Sequence, residues 1–201
     1  RARYSLASPI AATAPDATEH IGTMPSSHAR FEDRFSRQAS AYARHRPSYP
    51  RELFEWIAAI APGQELAWDC GTGNGQAAVA LRAHFARVIA TDPSEAQIAS
   101  AVRADGIEYV IAPAERAPLA DGSVSLIAIA SALHWFRLDA FYSEAKRVLA
   151  PGGVIAAWAY RECHVSNDID SLIVQVQNEI LGHYWSERVS IVAARFRDIP
   201  F

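Results

Sequence analysis

The chain has 201 residues, half of them hydrophobic, with 19 basic and 22 acidic side chains and a formal net charge of −3. That is enough for one α/β domain with its own core, and the charge recruits neither nucleic acid nor an anionic membrane surface. No apolar run approaches transmembrane length, and the two cysteines, Cys70 and Cys163, offer no metal-ligand spacing, so no metal site, no structural disulfide and a reducing cytoplasm are expected.

In chain order, residues 1–23 are rich in Ala, Ser, Thr and Pro and have no apolar core of the secretory kind. The first residue is Arg1 and the one methionine is Met24, so residues 1–29 are expected to be a disordered or non-native leader to a domain over 30–201. Residues 31–46 read as a helix with Phe31, Phe35, Ala39 and Tyr42 near one face. Pro50 suits the first position of a second helix, whose Leu53, Trp56, Ile57 and Ile60 make an apolar stripe that Pro62-Gly63 stops. Strand–helix alternation follows, with strands expected at 66–70, 87–91, 108–112, 124–130 and 154–159. The intervening helices are expected at 75–86, after a Ser94 cap with Gln97 completing a capping box, and at 137–149. A last helix at 168–181 would bury Ile169, Leu172, Ile173, Val176 and Ile180 and end at Gly182. Such alternation specifies an α/β fold with a parallel sheet covered on both faces.

The strongest chemical signal is the turn Asp69-Cys70-Gly71-Thr72-Gly73-Asn74-Gly75-Gln76, between the first strand and its helix. Glycines there let the backbone approach a ligand closely, and the helix start offers unpaired N–H groups to a polar or anionic part of it. Gln76 stands where a dinucleotide fingerprint would carry its third glycine. Asp92 ends the second strand, where a carboxylate can accept from two ribose hydroxyls, each bond worth about 1.5–3 kcal/mol.

This turn resembles motif I of the class I S-adenosylmethionine-dependent methyltransferases. Ser131-Ala132-Leu133-His134-Trp135-Phe136, Leu149-Ala150-Pro151-Gly152-Gly153-Val154 and the N-terminal Tyr42 to Pro50 segment are similar to the branch that includes trans-aconitate methyltransferase-like proteins. The resemblance covers about residues 30–200 and its motifs come in the expected order. It implies a doubly wound, mostly parallel Rossmann-like sheet with N-terminal cap helices, and S-adenosyl-L-methionine as cofactor, held by Asp69, Gly71, Thr72, Gly73, Gly75, Gln76, Asp92, Pro93, Ala114, Glu115 and Ser131. It also implies two further C-terminal strands, and the residues after 182 lack an obvious pattern for them, so strands six and seven are expected to be missing.

Each site residue has a plainer reading. Asp69 could serve only strand-end hydrogen bonds, Asp92 could cap the helix after Pro93-Ser94, and Glu115 could be an ordinary loop carboxylate. His134 is the candidate general base, since an imidazole titrates near neutral pH, or it packs beside Trp135 and lines the acceptor site. Tyr42, Arg46, Tyr49, His134 and Trp135 are the expected acceptor residues, and the arginine forks at Arg44, Arg46 and Arg51 suit a carboxylate. Eighteen of the 19 basic residues are arginine, however, which makes a solvated helix face an equal reading. The expected function is methyl transfer to a small-molecule acceptor. The alternatives are a nicotinamide-dependent oxidoreductase on a similar sheet and a non-catalytic binding protein that keeps the fold.

Overall fold

Val124–Ala130 is a run of seven residues in which only Ser125 is polar, and a strand apolar on both sides has to be covered on both sides. In the computed structural model of the protein, which describes residues 48–159 and 165–184 with Val192 and Phe196, that strand lies inside a five-stranded sheet. The strands are β1 (Leu66–Cys70), β2 (Arg87–Asp92), β3 (Ile107–Ile111), β4 (Val124–Ala130) and β5 (Leu149–Trp158). All neighbours are parallel and the order is β3-β2-β1-β4-β5. The chain winds outward from β1 to β3, then crosses back to β4, so the crevice of an open α/β sheet falls beyond the carboxyl ends of β1 and β4.

The helices are α1 (Arg51–Ile60), α2 (Gln76–Leu81), α3 (Glu95–Ala99), α4 (Leu138–Val148) and α5 (Asn167–Gln175), with a short 3-10 turn at Leu133–Trp135. Alternate residues of β4 enter opposite layers. Ile127 and Ile129 pack with Trp68, Phe141 and Val148 beneath α4, while Leu126 and Ala128 pack with Ile57, Leu81 and Phe85 beneath α1 and α2. Each such large side chain, fully removed from water, contributes about 1.5–3 kcal/mol. The Trp68 indole N–H donates to Thr91 Oγ1 at 2.9 Å, which lets a polar atom sit in the first layer at little cost.

Strands β1 to β4 stand within a few residues of their expected places, and four differences remain, three in helices and one in β5. The buried face of α1 is Phe54, Ile57 and Ala58, while Trp56 and Ile60 face solvent. The reason is aromatic packing: Phe54 meets Trp158 edge-on with ring centroids 5.9 Å apart, and that contact sets the rotation of the helix. The helix expected over 75–86 ends at Leu81, because Arg82 turns its guanidinium onto the carbonyls of Phe85 and Asp105 and draws the following turn inward, with Phe85 buried. Strand β5 already pairs at Leu149 with Val124, and an irregular register lets the Pro151-Gly152-Gly153 turn sit inside it before Val154 pairs with Leu126.

The fourth difference is the largest. Helix α5 forms where expected, capped by Ser166, and runs into a π-helical turn at Val176–Ile180. It does not bury its stripe: Ile169, Leu172, Val176 and Ile180 are exposed and Ile173 is half-buried. No described element covers that face. The leader, the helix expected at 31–46 with Tyr42, Arg44 and Arg46, Cys163 and nearly all of the tail searched for strands six and seven lie outside the described residues. No described helix is long and apolar enough to cross a membrane.

Candidate active site

The glycine turn is fastened at both ends. The N–H groups of Gly71 and Thr72 both donate to the Thr91 carbonyl at 2.9 Å, which holds the turn against β2. Thr72 Oγ1 donates to Asp69 Oδ2 at 2.5 Å, inside the protein, and Gly73 N–H donates to Asp92 Oδ2 at 2.9 Å. Asp69 and Asp92 are buried, so each shapes the turn from the strand beneath it. Asp92 has a second duty, since its Oδ1 accepts from Ser94 N–H at 2.9 Å at the start of α3. The cap reading of Asp92 is therefore correct as far as it goes. Ser94 Oγ accepts from Gln97 N–H at 3.3 Å, which forms one arm of the expected capping box.

Two of the glycines are required by their neighbours. A Cβ at Gly71, where φ is +74°, would lie 2.6 Å from Ala132 Cβ and 3.3 Å from the Phe136 ring. This contact presses the β1 turn against the segment after β4. A Cβ at Gly75, at φ +85°, would lie within 3 Å of the Tyr109 ring and closer still to its hydroxyl. Beside Gly73, by contrast, the nearest atom is Gln97 Oε1 at 3.8 Å from such a Cβ, which leaves room over the backbone. Gln76 is the first residue of α2 and Pro93 is half-buried between Asp92 and Ser94.

The loop from β3 to β4 is tied to α4. Ala114 is buried, and Glu115 Oε1 accepts from Arg137 N–H at 2.8 Å, with the Arg137 Nε at 3.7 Å. Glu115 is thus a structural acceptor with 13% of its side chain exposed, not an ordinary loop carboxylate. Further along, Glu144 Oε1 accepts from Ala117 N–H at 2.7 Å, and Arg147 reaches Glu144 and Asp121 at 2.6 Å each and the Leu119 carbonyl at 2.8 Å. The Arg147 guanidinium, with help from the Ala117 N–H, holds the buried Glu144 carboxyl below its ordinary range despite the opposing effect of burial.

Across the crevice, Ser131 leaves β4 in a left-handed conformation, φ +56°, rare for a residue with a side chain. Its N–H donates to the Trp158 carbonyl at 2.7 Å, and its Oγ stands 3.4 Å from Tyr49 Oη. Tyr49 packs edge-on against Trp158, centroids 5.6 Å apart, and so brings the start of the described chain to the ends of β4 and β5. His134 and Trp135 follow on the 3-10 turn, both half-buried, their rings 4.9 Å apart. The structure therefore gathers the described site residues around one end of the sheet.

Sequence patterns did not single out Tyr109, Glu144 or Trp158. The Trp158 Nε1–H is shielded from solvent and has no hydrogen-bond partner among the described residues. Such a donor is costly to leave unmade, by about 1–3 kcal/mol. No group of three or more His, Cys, Asp or Glu among the described residues is arranged to hold a metal ion.

Residues 68–157 match the methyltransferase domain family. A Dictyostelium discoideum protein named as a methyltransferase is 36% identical over 174 residues, covering 85% of this chain and 66% of its own length. A solved structure from Anaeromyxobacter dehalogenans, described as a type II methyltransferase, superposes with a TM-score of 0.70 at 43% identity, over 78% of this chain and 66% of that one. This chain belongs to the class I S-adenosylmethionine-dependent methyltransferases. A malonyl-[acyl-carrier protein] O-methyltransferase from Dechloromonas aromatica is a further relative, 36% identical over 67% of this chain and 52% of its own length. The chain spans 66%, 65% and 53% of the first curated relatives it matches.

S-adenosylmethionine is the cofactor of this methyltransferase fold, and the residues present suit it. The open backbone at Gly73, the buried Asp69 and Asp92 beneath it, and the start of α2 would hold its polar ends. The loop at Ala114 and Glu115 follows the end of β3.

Proposed function

We propose that the chain transfers the methyl group of S-adenosylmethionine to a small-molecule acceptor, and that a carboxylate is the acceptor its residues suit best. One observation carries the reading. The fastened glycine turn and the Tyr49, Ser131, His134 and Trp135 group meet at one end of the sheet, joined where Gly71 presses on Ala132 and Phe136. A donor held on one side would face an acceptor held on the other.

When bound, S-adenosylmethionine supplies an electrophilic methyl carbon on a sulfonium. The protein's work is then positioning, which can supply roughly 7–11 kcal/mol in favourable cases. A carboxylate already carries its nucleophilic lone pair and needs no base. For that acceptor His134 lines the site and orients the oxygen; for a hydroxyl acceptor it is the group placed to take the proton. Tyr49 and Trp135 give the acceptor apolar walls. Arg46, in the segment that precedes the described residues, carries the planar guanidinium that a carboxylate acceptor would need. The named activity of the Dechloromonas relative, transfer to an oxygen, supports an oxygen acceptor.

The test is calorimetric titration with S-adenosylhomocysteine, with NADH alongside, followed by turnover on a panel of mono-, di- and tricarboxylates. Micromolar binding of the first ligand only, and methyl-ester product from one of the acids, is expected. Binding of NADH alone would overturn the reading. Ester formation with an acceptor KM unchanged in Arg46→Ala would remove the arginine from it.

A further inference from the structure

The most heavily engaged side chain near the turn, outside the motif itself, is Tyr109, on the edge strand β3. It belongs to a row of residues that cross the sheet on one face: Tyr109 pairs with Ala90, and Ala90 with Asp69. Adjacent strands are about 4.8 Å apart, so β3 lies about 10 Å from β1. Alanine at the middle position leaves the space over β2 that a long side chain needs to reach toward β1. The Tyr109 ring uses that space and ends directly against Gly75 Cα, where even one added carbon would overlap it.

The hydroxyl makes a second connection. Tyr109 Oη donates to the Val102 carbonyl at 2.8 Å, and the Val102 N–H donates to the Asn74 carbonyl at 3.3 Å. One residue, Val102, thereby links the phenol to the residue just before Gly75. The Arg103 guanidinium stands 5.1 Å above the ring centroid and closes the open side. Burial and the nearby Asp69 charge push the phenol up to about 12, so its proton stays in place as a donor across the neutral range.

We infer that Tyr109 is a positioning residue for the cofactor turn: its ring sets where Gly75 and the first N–H groups of α2 lie, and its hydroxyl, through Val102, fixes Asn74. This rests on the reading that the turn binds S-adenosylmethionine. Gly75 opens α2 in a left-handed conformation without a side-chain cap; locally its N–H donates to the Thr72 carbonyl at 3.0 Å, and the Tyr109 ring is the side chain that abuts it. The Asp69 and Asp92 bonds hold Thr72 and Gly73; Tyr109 holds the two residues that follow.

The test measures S-adenosylhomocysteine binding by calorimetry for the full chain, Tyr109→Phe, Tyr109→Ala and Val110→Ala, with each variant's unfolding midpoint. Val110 lies on the same strand and packs into the opposite layer. Tyr109→Phe keeps the ring and loses the Val102 bond, and its Kd should rise about 5-fold. Tyr109→Ala loses both and should bind about 30-fold or more weakly. Val110→Ala should lower the midpoint yet bind within about twofold of the parent. Two results overturn the inference: both Tyr109 variants binding like the parent, or Val110→Ala losing as much affinity as Tyr109→Ala. If Tyr109→Ala does not fold, Tyr109→Phe decides alone. A parent chain that binds no S-adenosylhomocysteine overturns the cofactor reading itself, a separate result.

Discussion

The two sides of the crevice are built differently. On the β1–β2 side the proposed ligand surface is backbone, held by buried carboxylates and a shared carbonyl: Asp69 to Thr72, Asp92 to Gly73, and Thr91 to both Gly71 and Thr72. On the β4–β5 side it is side chains, Tyr49, His134, Trp135 and Trp158, placed by aromatic packing between segments more than a hundred residues apart in one case, Tyr49 and Trp158. A backbone surface recognises what every member of a family shares, since its N–H and C=O groups do not change with sequence. A side-chain surface can be rebuilt one residue at a time for a new acceptor. The difference teaches where to expect constancy and where to expect specificity.

The sharpest way to break this contrast is Gly75→Val. It adds a branched side chain at a left-handed position already occupied by the Tyr109 ring, and should weaken S-adenosylhomocysteine binding by about 100-fold or more in calorimetry. Next comes Asp92→Ala, with a loss of roughly 10–100-fold. Asp92→Asn keeps one acceptor oxygen and should lose less; equal losses would show that the charge, not the loop bond, carries the affinity.

Glu144→Gln probes the tie between the β3–β4 loop and α4 and should act on stability. Removing a buried charge-assisted partner of Ala117 and Arg147 should cost about 1–3 kcal/mol in denaturant unfolding. Because the folded carboxyl titrates below its ordinary value, its contribution is complete above the unfolded value, about 4.3, and is lost as pH falls through the lower folded value. The parent should therefore lose its advantage over Glu144→Gln in acid, below about pH 4. The smallest effect is expected at Trp158→Phe, whose S-adenosylhomocysteine affinity should stay within about twofold of the parent. A larger loss would place Trp158 on the cofactor side and dissolve the contrast.

The same division decided what could be read from sequence. The β1 turn was legible because its requirements are local: strand, acid, glycines and helix start lie within 11 residues, Leu66–Gln76. The sheet was legible because its strands are apolar runs with short connections. Tyr109 was not, since its role depends on a register with Ala90 and on a Gly75 that lies 34 positions earlier. The rotation of α1 was missed because Phe54 answers to Trp158, at the far end of the fold. The face of α5 was misread for a simpler reason. Periodicity reports that a helix has an apolar side and says nothing of whether a partner lies against it.

Cys70 ends β1 directly beneath the turn, fully buried, its thiol raised well above the ordinary range chiefly by burial and then by the neighbouring Asp69. A thiol so placed reacts with an alkylating reagent only in molecules that have momentarily opened. Its modification clock, read at Cys70 by peptide mass mapping, therefore counts openings of the sheet beneath the cofactor turn. A ligand that binds only the closed form should slow that clock in proportion to its occupancy. The protein thus carries its own reporter of site occupancy, one that needs no knowledge of the methyl acceptor.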